Sequence, residues 1–480
     1  MKLNEKFWNQ TAVYGLGFLL VRAISFLLLP LYTNLLSPYE TGFIFLFLTM
    51  IAFLNTFYNM GMDSALLKFY NKEQFKTVFS SSIIYSAIWG LILSSILFIC
   101  SETFYQSFQD RNIHLPSNII SYLIGILMLD TISSRTKVFL RLRELPLYYL
   151  TVSFCNVLAS AFLNIYFIGT LNMGIQGALN ALFITSLIQF LTLFPILLMY
   201  VRPKFLDSDV FNKMIKFGLP FLPASIFFII IELSDRWMIE WIRDLGEVGL
   251  YGSGYKIGSL IMMLVLGFNL NWQPHYLKQK EEKDLKKLRK IGNLFIMILV
   301  SIAWVICLVF PLLFTIDLSQ ISLFNLFFKE SVYIIGEKFW EGFSVIPVVC
   351  FGYIFYGIFI TQMPSIYLKN KQNWLPLFWG MGALLNIILN YFLINGFGFY
   401  GASISTLIAY LFMAIFLSYK NFKWMNISLN YKILGPYLGL VFLIVGPIQW
   451  NENIFVFINL ASLMGGVAGF KMLLMKNNVR

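Results

Sequence analysis

A few ionisable side chains stand inside stretches that are otherwise apolar, and these are the residues with chemistry to offer. Arg22 interrupts the run that begins near Ala12, Asp130 the run from Ile119 and Lys256 the run from Val248, while Glu232, Asp235 and Arg236 cluster toward the end of the run from Phe217. If each run is a membrane helix, the 1.5 Å rise per residue puts Arg22 roughly 15 Å, Lys256 roughly 12 Å and Asp130 roughly 16 Å beyond the point where its helix begins. A charge at such depth costs roughly 2.5–3.5 kcal/mol on insertion scales, so each is expected to face a cavity or a partner. Two deep cations, Arg22 and Lys256, suit a phosphate-bearing substrate, to which a guanidinium offers paired donors and an ammonium a point charge. The alternative is that either cation forms a structural bridge with Asp130 or Glu232.

Asp130 leads a polar stretch of Thr131, Ser133, Ser134, Arg135 and Lys137, in which Ser134 shares its helix face at i+4. A proton or cation relay is the functional reading; Arg135 and Lys137 are expected as interfacial anchors that follow the positive-inside rule. Glu232 and Arg236, also at i and i+4, form with Asp235 either an outer gate or an ion pair at a helix end. Asn55 with Asn59, and Asn386 with Asn390, are amide pairs at helical spacing, expected in interhelical hydrogen bonds or on sugar hydroxyls. Pro30 in the first helix and Pro220 and Pro223 in the seventh should kink or break their helices and supply hinges.

Other chemistries lack their residues. No GxxxxGK[ST] loop is present, and Gly252, Gly254 and Gly258 (GSGYKIG) lie inside a helix and miss the dinucleotide spacing. Cys100, Cys155, Cys307 and Cys350 have no CxxC spacing, and His114 and His275 fall on opposite sides of the membrane, so neither a disulfide framework nor a metal site nor any cofactor is expected. Outer loops are too short to house glycosyl transfer. The chain is therefore not expected to be an enzyme, although a membrane polysaccharide polymerase or a non-transporting scaffold of glycan assembly stays open as a rival.

The elements that must position these residues follow from composition. The 480 residues are 59% hydrophobic and 12% charged, with a mean hydropathy of +0.75, whereas a water-soluble domain carries about a quarter of its residues as charges. Runs long enough to cross, about 20 residues each, start near Ala12, Phe43, Ile83, Ile119, Tyr148, Ala178, Phe217, Val248, Leu294, Phe343, Leu375, Gly401, Ile433 and Phe455. That makes about fourteen helices. A β-barrel is excluded because the runs are continuous and do not alternate, as Ile226 to Ile231 illustrates.

One class of loop holds nearly all the bases, among them Lys68, Lys72, Lys76, Arg141, Arg143, Arg202, Lys204, Lys369, Lys371, Lys420 and both termini. Those loops and both termini are expected in the cytoplasm. The net charge of +12 then belongs to loops facing anionic membrane lipids, and nucleic-acid binding is not needed to account for it. With Arg22 in its middle and no cleavage site, the first apolar run is expected to be retained as a helix.

Two stretches a little over two hundred residues apart read as copies. Phe139 to Pro146, LNIYFI at 163–168 and GIQGA at 174–178 match, in order, Tyr367 to Pro376, LNYFLI at 389–394 and GFYGA at 398–402. An all-α membrane fold of two six-helix lobes in parallel repeat is expected, at 1–200 and 201–420, with two further helices at 421–480. Such lobes enclose a cleft and work as a transporter.

The stretch Gly218 to Leu260, with its proline pair, Asp235-Arg236, Gly249-Leu250-Tyr251 and Lys256, is similar to the helix seven to eight signature of the polysaccharide and O-antigen flippases. Arg22 to Leu36, Pro38 to Gly42, Gly61 and Asp63 resemble that family's first two helices, and Asn386 to Ala402 its eleventh and twelfth. The superfamily also holds multidrug and toxin extrusion antiporters and the lipid II flippases. The resemblance implies alternating access about a central cavity and export of an undecaprenyl-pyrophosphate-linked oligosaccharide, an O-antigen or capsular repeat unit, to the outer leaflet. Arg22, Lys256 and the four asparagines would then meet the substrate, and Asp130, Glu232, Asp235 and Arg236 would couple transport to a proton or sodium ion or gate it. A cation-coupled drug antiporter of the same fold is the nearest rival. Glycan-assembly proteins are further partners the resemblance allows.

Overall fold

The computed structural model describes residues 26–425 apart from 27, 72, 112, 114, 117, 278–281, 315 and 318–332. Arg22, His114 and the helices expected from Ile433 and Phe455 lie outside the described residues. The described chain contains no strand, only an isolated bridge between Asp317 and Tyr333. Continuous apolar sequence in lipid leaves the backbone no other way to satisfy its own donors and acceptors.

The chain divides into two compact units, Met1–Ile229 and Ile230–Arg480. After a helical stretch at 28–35, the first unit contains α1 (Pro38–Asn59), α2 (Met62–Phe69), α3 (Phe75–Ile99), α4 (Ser101–Gln109), α5 (Ile119–Leu142), α6 (Pro146–Asn164, prolonged by a π turn), α7 (Gly174–Tyr200) and α8 (Ser208–Gly218). A 3-10 turn at Leu219–Phe221 leads into α9 (Leu222–Ile242), within which the unit boundary falls. The second unit continues with α10 (Leu245–Gly258), α11 (Leu260–Leu277), α12 (Glu282–Phe314), a 3-10 stretch at Glu337–Ser344, α13 (Val345–Gln362), α14 (Pro364–Leu368) and α15 (Leu375–Trp424). Nine segments among the described residues are long and apolar enough to cross a membrane, ten when α10 and α11, bent by 44°, count as one span. At 50 residues α15 would run roughly 75 Å, more than twice the hydrocarbon thickness. Its backbone breaks at Gly398 (φ 57, ψ −147), so it is two spans back to back.

Helix α3 is built inside out by the standards of a protein in water. It buries Ser80, Ser81, Ser82, Ser86 and Ser94 and exposes Leu91 (58%), Phe98 (67%) and Ile99 (78%). Lipid rewards this arrangement, because small polar residues let helices approach closely while leucine and phenylalanine cost nothing against acyl chains.

The duplicated blocks have duplicated geometry. Gly174 and Gly398, which open the two GxxGA copies, adopt φ of +53 and +57, a conformation that any Cβ would strain. A Cβ on Gly174 would stand 2.8 Å from Oε1 of Glu40, and one on Gly398 2.9 Å from Oε2 of Glu247. Those glutamates are themselves equivalent: Ser37 caps α1 and accepts from the Glu40 amide, as Asp244 caps α10 and accepts from the Glu247 amide. Within each unit, then, a hairpin tip rests on the capping glutamate of another helix. In the second unit Glu247 also accepts the Phe399 amide at 2.9 Å.

Candidate functional site

The second unit gathers its ionisable residues around α9. Spacing of three and four turns Glu232, Asp235, Arg236 and Glu240 toward the unit's interior, where all four are buried. Two of the tyrosines around them, Tyr251 and Tyr255, come from α10 at i and i+4; Tyr353 comes from α13 and Tyr410 from α15. The Tyr353 hydroxyl donates to Glu232 Oε2 at 2.8 Å, Tyr410 donates to Oε1, and Tyr255 reaches Oε2 at 3.4 Å. Tyr255 and Tyr353 also share a hydrogen bond of 2.5 Å. Three hydroxyls thus aim at one carboxylate, an arrangement that suits a group able to hold or release a proton in an otherwise apolar setting.

Arg236 does not pair with the Glu232 side chain four residues back. Its Nη1 bonds the neighbouring Asp235 Oδ1 at 2.7 Å and the Glu232 carbonyl at 2.7 Å. The guanidinium lies 4.3 Å from the Tyr255 ring centroid and 5.4 Å from that of Tyr251, and the Tyr251 hydroxyl donates to Asp235 Oδ2. The cluster sits in the interior of α9 and not at a helix end, so the end-of-helix ion pair considered above is not what forms. Lys256, the residue after Tyr255 in α10, is half-buried. The glycines of GSGYKIG are packing residues: a Cβ on Gly254 would stand 2.0 Å from the Gly342 carbonyl oxygen.

Asn386 and Asn390 are buried and bonded to each other at 3.0 Å, and Asn386 reaches Ser234 in α9 as well as Ser405 and Thr406 in α15. The equivalent of Asn390 in the repeat, Asn164, accepts from Tyr32 at 2.8 Å. Asn55 and Asn59 behave differently, because Asn59 bonds forward to Asp63 Oδ2 at 2.9 Å.

That aspartate is the centre of the first unit's polar cluster. Asp63 Oδ2 also accepts from Ser134 at 2.8 Å, while Oδ1 is buried without a hydrogen-bond partner among the described residues. Arg135, expected at the interface as an anchor, is 0% exposed. Its Nη1 donates to the Thr131 carbonyl at 2.8 Å and its Nη2 to those of Tyr58 and Asn59 at 3.1 and 3.3 Å. These last two are terminal carbonyls of α1, where the helix dipole is negative, and that pull outweighs the interface. Lys137 likewise turns inward to Gln189 Oε1 at 3.1 Å, which Asn156 also approaches at 3.2 Å. Asp130 is half-buried.

Among the proposed hinges, Pro220 lies in the 3-10 turn Leu219–Phe221 and Pro223 in the first turn of α9, so the helix is interrupted where the prolines predict. The Pro30 carbonyl accepts from Asn34 Nδ2 at 2.8 Å. Among the described residues no set of three His, Cys, Asp or Glu side chains is placed to hold a metal ion.

A family model described as "Polysaccharide biosynthesis protein" matches residues 7–275. An uncharacterised membrane protein of Methanocaldococcus jannaschii is 23% identical over 372 residues, 74% of this chain and 83% of its own. Among solved structures, the lipid II flippase MurJ in an inward closed conformation superposes with a TM-score of 0.67 at 15% identity, over 98% of this chain and 100% of that one. An inward-facing multidrug resistance MATE family transporter of the MOP superfamily gives 0.60 at 15% identity, over 85% and 93%. A MOP superfamily transporter from Pyrococcus furiosus gives 0.53 at 15% identity, over 86% and 95%. At these identities the likeness establishes a shared multi-pass helical membrane fold, the one the sequence resemblance implies.

Proposed function

Since the chain belongs to the polysaccharide biosynthesis protein family, we propose that it is a membrane flippase carrying an undecaprenyl-pyrophosphate-linked oligosaccharide from the cytoplasmic to the outer leaflet of a bacterial inner membrane. The observation that carries this reading is the burial of charge in both units within helices that otherwise suit lipid: Arg135 in one, Glu232, Asp235 and Arg236 in the other. Such groups are expensive in a bilayer and mark a polar pathway. Lys256, and Arg22 by its sequence depth, are assigned to the pyrophosphate; Asn55, Asn59, Asn386 and Asn390 to sugar hydroxyls. The paired bonding of Asn386 with Asn390 leaves them a structural share as well. Glu232 and Asp130 are assigned to ion coupling, with Asp235 and Arg236 holding the surroundings of Glu232 fixed. Alternating access would use Pro30, Pro220 and Pro223 as hinges. No nucleotide loop is present in the sequence, so drive comes from an ion gradient or from the membrane potential, worth about 2.3 kcal/mol per charge per 100 mV.

One observation favours a second reading. Glu232, Asp235 and Glu240 are buried on the same helix as a single guanidinium, Arg236, and a surplus of buried carboxylate suits a cationic drug better than a pyrophosphate. Expression in an efflux-deficient host separates the two: the drug-antiporter reading requires a rise in tolerance to cationic drugs. The flippase reading requires none, and instead requires that deletion in the native host leave the lipid-linked repeat unit on the cytoplasmic leaflet.

A further inference from the structure

The first unit carries a row of bases that no part of the transport mechanism uses. They lie at the end where α3 begins and α5 and α7 finish, the end that the lysine distribution assigns to the cytoplasm. Arg143 stacks 4.5 Å from the Phe75 centroid and 5.8 Å from that of Tyr200. Lys76 lies 6.0 Å from the same Phe75 ring and 5.7 Å from Phe205, which Lys204 approaches at 5.1 Å. Base and ring therefore alternate in the order Arg143, Phe75, Lys76, Phe205, Lys204, drawn from the end of α5, the start of α3 and the 3-10 turn at Pro203–Phe205. Ser80 fixes the last of these to α3, because its hydroxyl donates to the Tyr200 carbonyl at 3.1 Å and accepts the Arg202 amide at 3.2 Å.

Two features make this row unlike an ordinary solvated surface. Bases that share a ring at those distances are at most about 11 Å apart, near the range at which salt stops screening them, and none of the three makes an ion pair among the described residues. The acid of the neighbouring turn, Asp207, is occupied with the amides of Asp209 and Val210. A ring face orients a cation without neutralising it, so the ammonium donors of Lys76 and Lys204 remain for an anion, while Arg143, which also bonds Tyr70 and Tyr200, keeps its charge. Around the bases, Leu145 (38%), Leu147 (73%) and Leu206 (40%) are exposed, which fits acyl chains beneath a headgroup and does not fit water.

We propose that this row is a binding surface for the phosphate headgroups of anionic phospholipids, which seats the first unit's cytoplasmic end in the leaflet. The surface needs no assumption about the transported substrate.

The test uses the purified full-length chain titrated with short-chain phosphatidylglycerol, read by native mass spectrometry and thermal stabilisation, with phosphatidylcholine of equal chain length and inorganic pyrophosphate as comparisons. The proposal expects retention of phosphatidylglycerol but not phosphatidylcholine. It expects affinity to fall roughly fivefold per base removed, on the order of 100-fold in the variant Lys76→Gln, Arg143→Gln, Lys204→Gln, taking about 1 kcal/mol per base near an anionic surface. A charge-matched variant, Lys213→Gln, Lys287→Gln, Arg289→Gln, should bind as wild type, and Arg143→Lys should keep most of the affinity and confirm that loss is not misfolding. Equal loss in the two triple variants would overturn the proposal, as would a pyrophosphate effect as large as that of the lipid, which would assign the row to a free or substrate-borne phosphate.

Discussion

The tyrosine cage around Glu232 can be tested by a double-mutant cycle. Tyr353→Phe deletes a hydroxyl that donates to Glu232 Oε2 at 2.8 Å and also strips Tyr255 of its 2.5 Å partner. A hydrogen bond to a charged group contributes about 1.5–3 kcal/mol and one between neutral groups about 0.5–1.5 kcal/mol. If the buried carboxyl carries charge, Tyr353→Phe should cost about 3 kcal/mol in the native background, the upper end applying because Tyr255 loses its shortest hydrogen bond as well. In a Glu232→Gln background the same deletion should cost only about 1 kcal/mol, since a neutral amide replaces the charged acceptor. The coupling energy is then about 2 kcal/mol, well above the roughly 0.5 kcal/mol within which independent sites add. Reversible unfolding of the purified protein in mixed detergent and dodecyl sulfate gives the four midpoints needed. Additivity within that margin would show that the hydroxyls do not hold a charged carboxylate, which would refute this reasoning.

Other consequences follow from the same geometry. Asp235→Asn leaves Arg236 buried beside Tyr255 without its 2.7 Å counter-ion, and breaking one side of a buried pair costs about 3–5 kcal/mol, so the variant should express poorly, while Asp235→Asn with Arg236→Gln should recover folded protein on size exclusion. Gly398→Ala and Gly174→Ala force a Cβ into a left-handed backbone and against Glu247 or Glu40; each should cost about 1–3 kcal/mol in the same unfolding assay, and markedly unequal costs would argue against equivalent roles in the two copies. Arg135→Gln should lower stability by several kcal/mol in that assay because it strands the α1 carbonyls, whereas a solvent-facing anchor would tolerate it.

The features that sequence made legible were those with a local backbone cause. Proline lacks an amide proton and favours a helix break, and one forms at Pro220, although Pro195 is carried inside α7 without ending it. Gly174 and Gly398 were visible as repeated letters because only glycine adopts their backbone freely, and the asparagines at 164 and 390 because an amide in an apolar run stands out. The tyrosine cage was not legible: Tyr251 and Tyr255 carried a weak signal in their i, i+4 spacing beside Asp235, but Tyr353 and Tyr410 arrive from helices about a hundred or more residues away. Arg135 was misjudged because the positive-inside rule counts charges near a helix end and is blind to the carbonyls of another helix. Asn59 had two partners at equal spacing, Asn55 behind and Asp63 ahead, and only the turn after α1 decides for Asp63.

The central claim is that this chain moves a pyrophosphate-linked oligosaccharide past Lys256 and Arg22. Its most direct test is the flipping of a fluorescent polyprenyl-pyrophosphate oligosaccharide in proteoliposomes, followed by quenching from outside. The account predicts transport by the wild-type chain that responds to an imposed ion gradient or potential and falls at least tenfold in both Lys256→Ala and Arg22→Ala. Transport that is absent in the wild type, or unchanged in both variants, contradicts it.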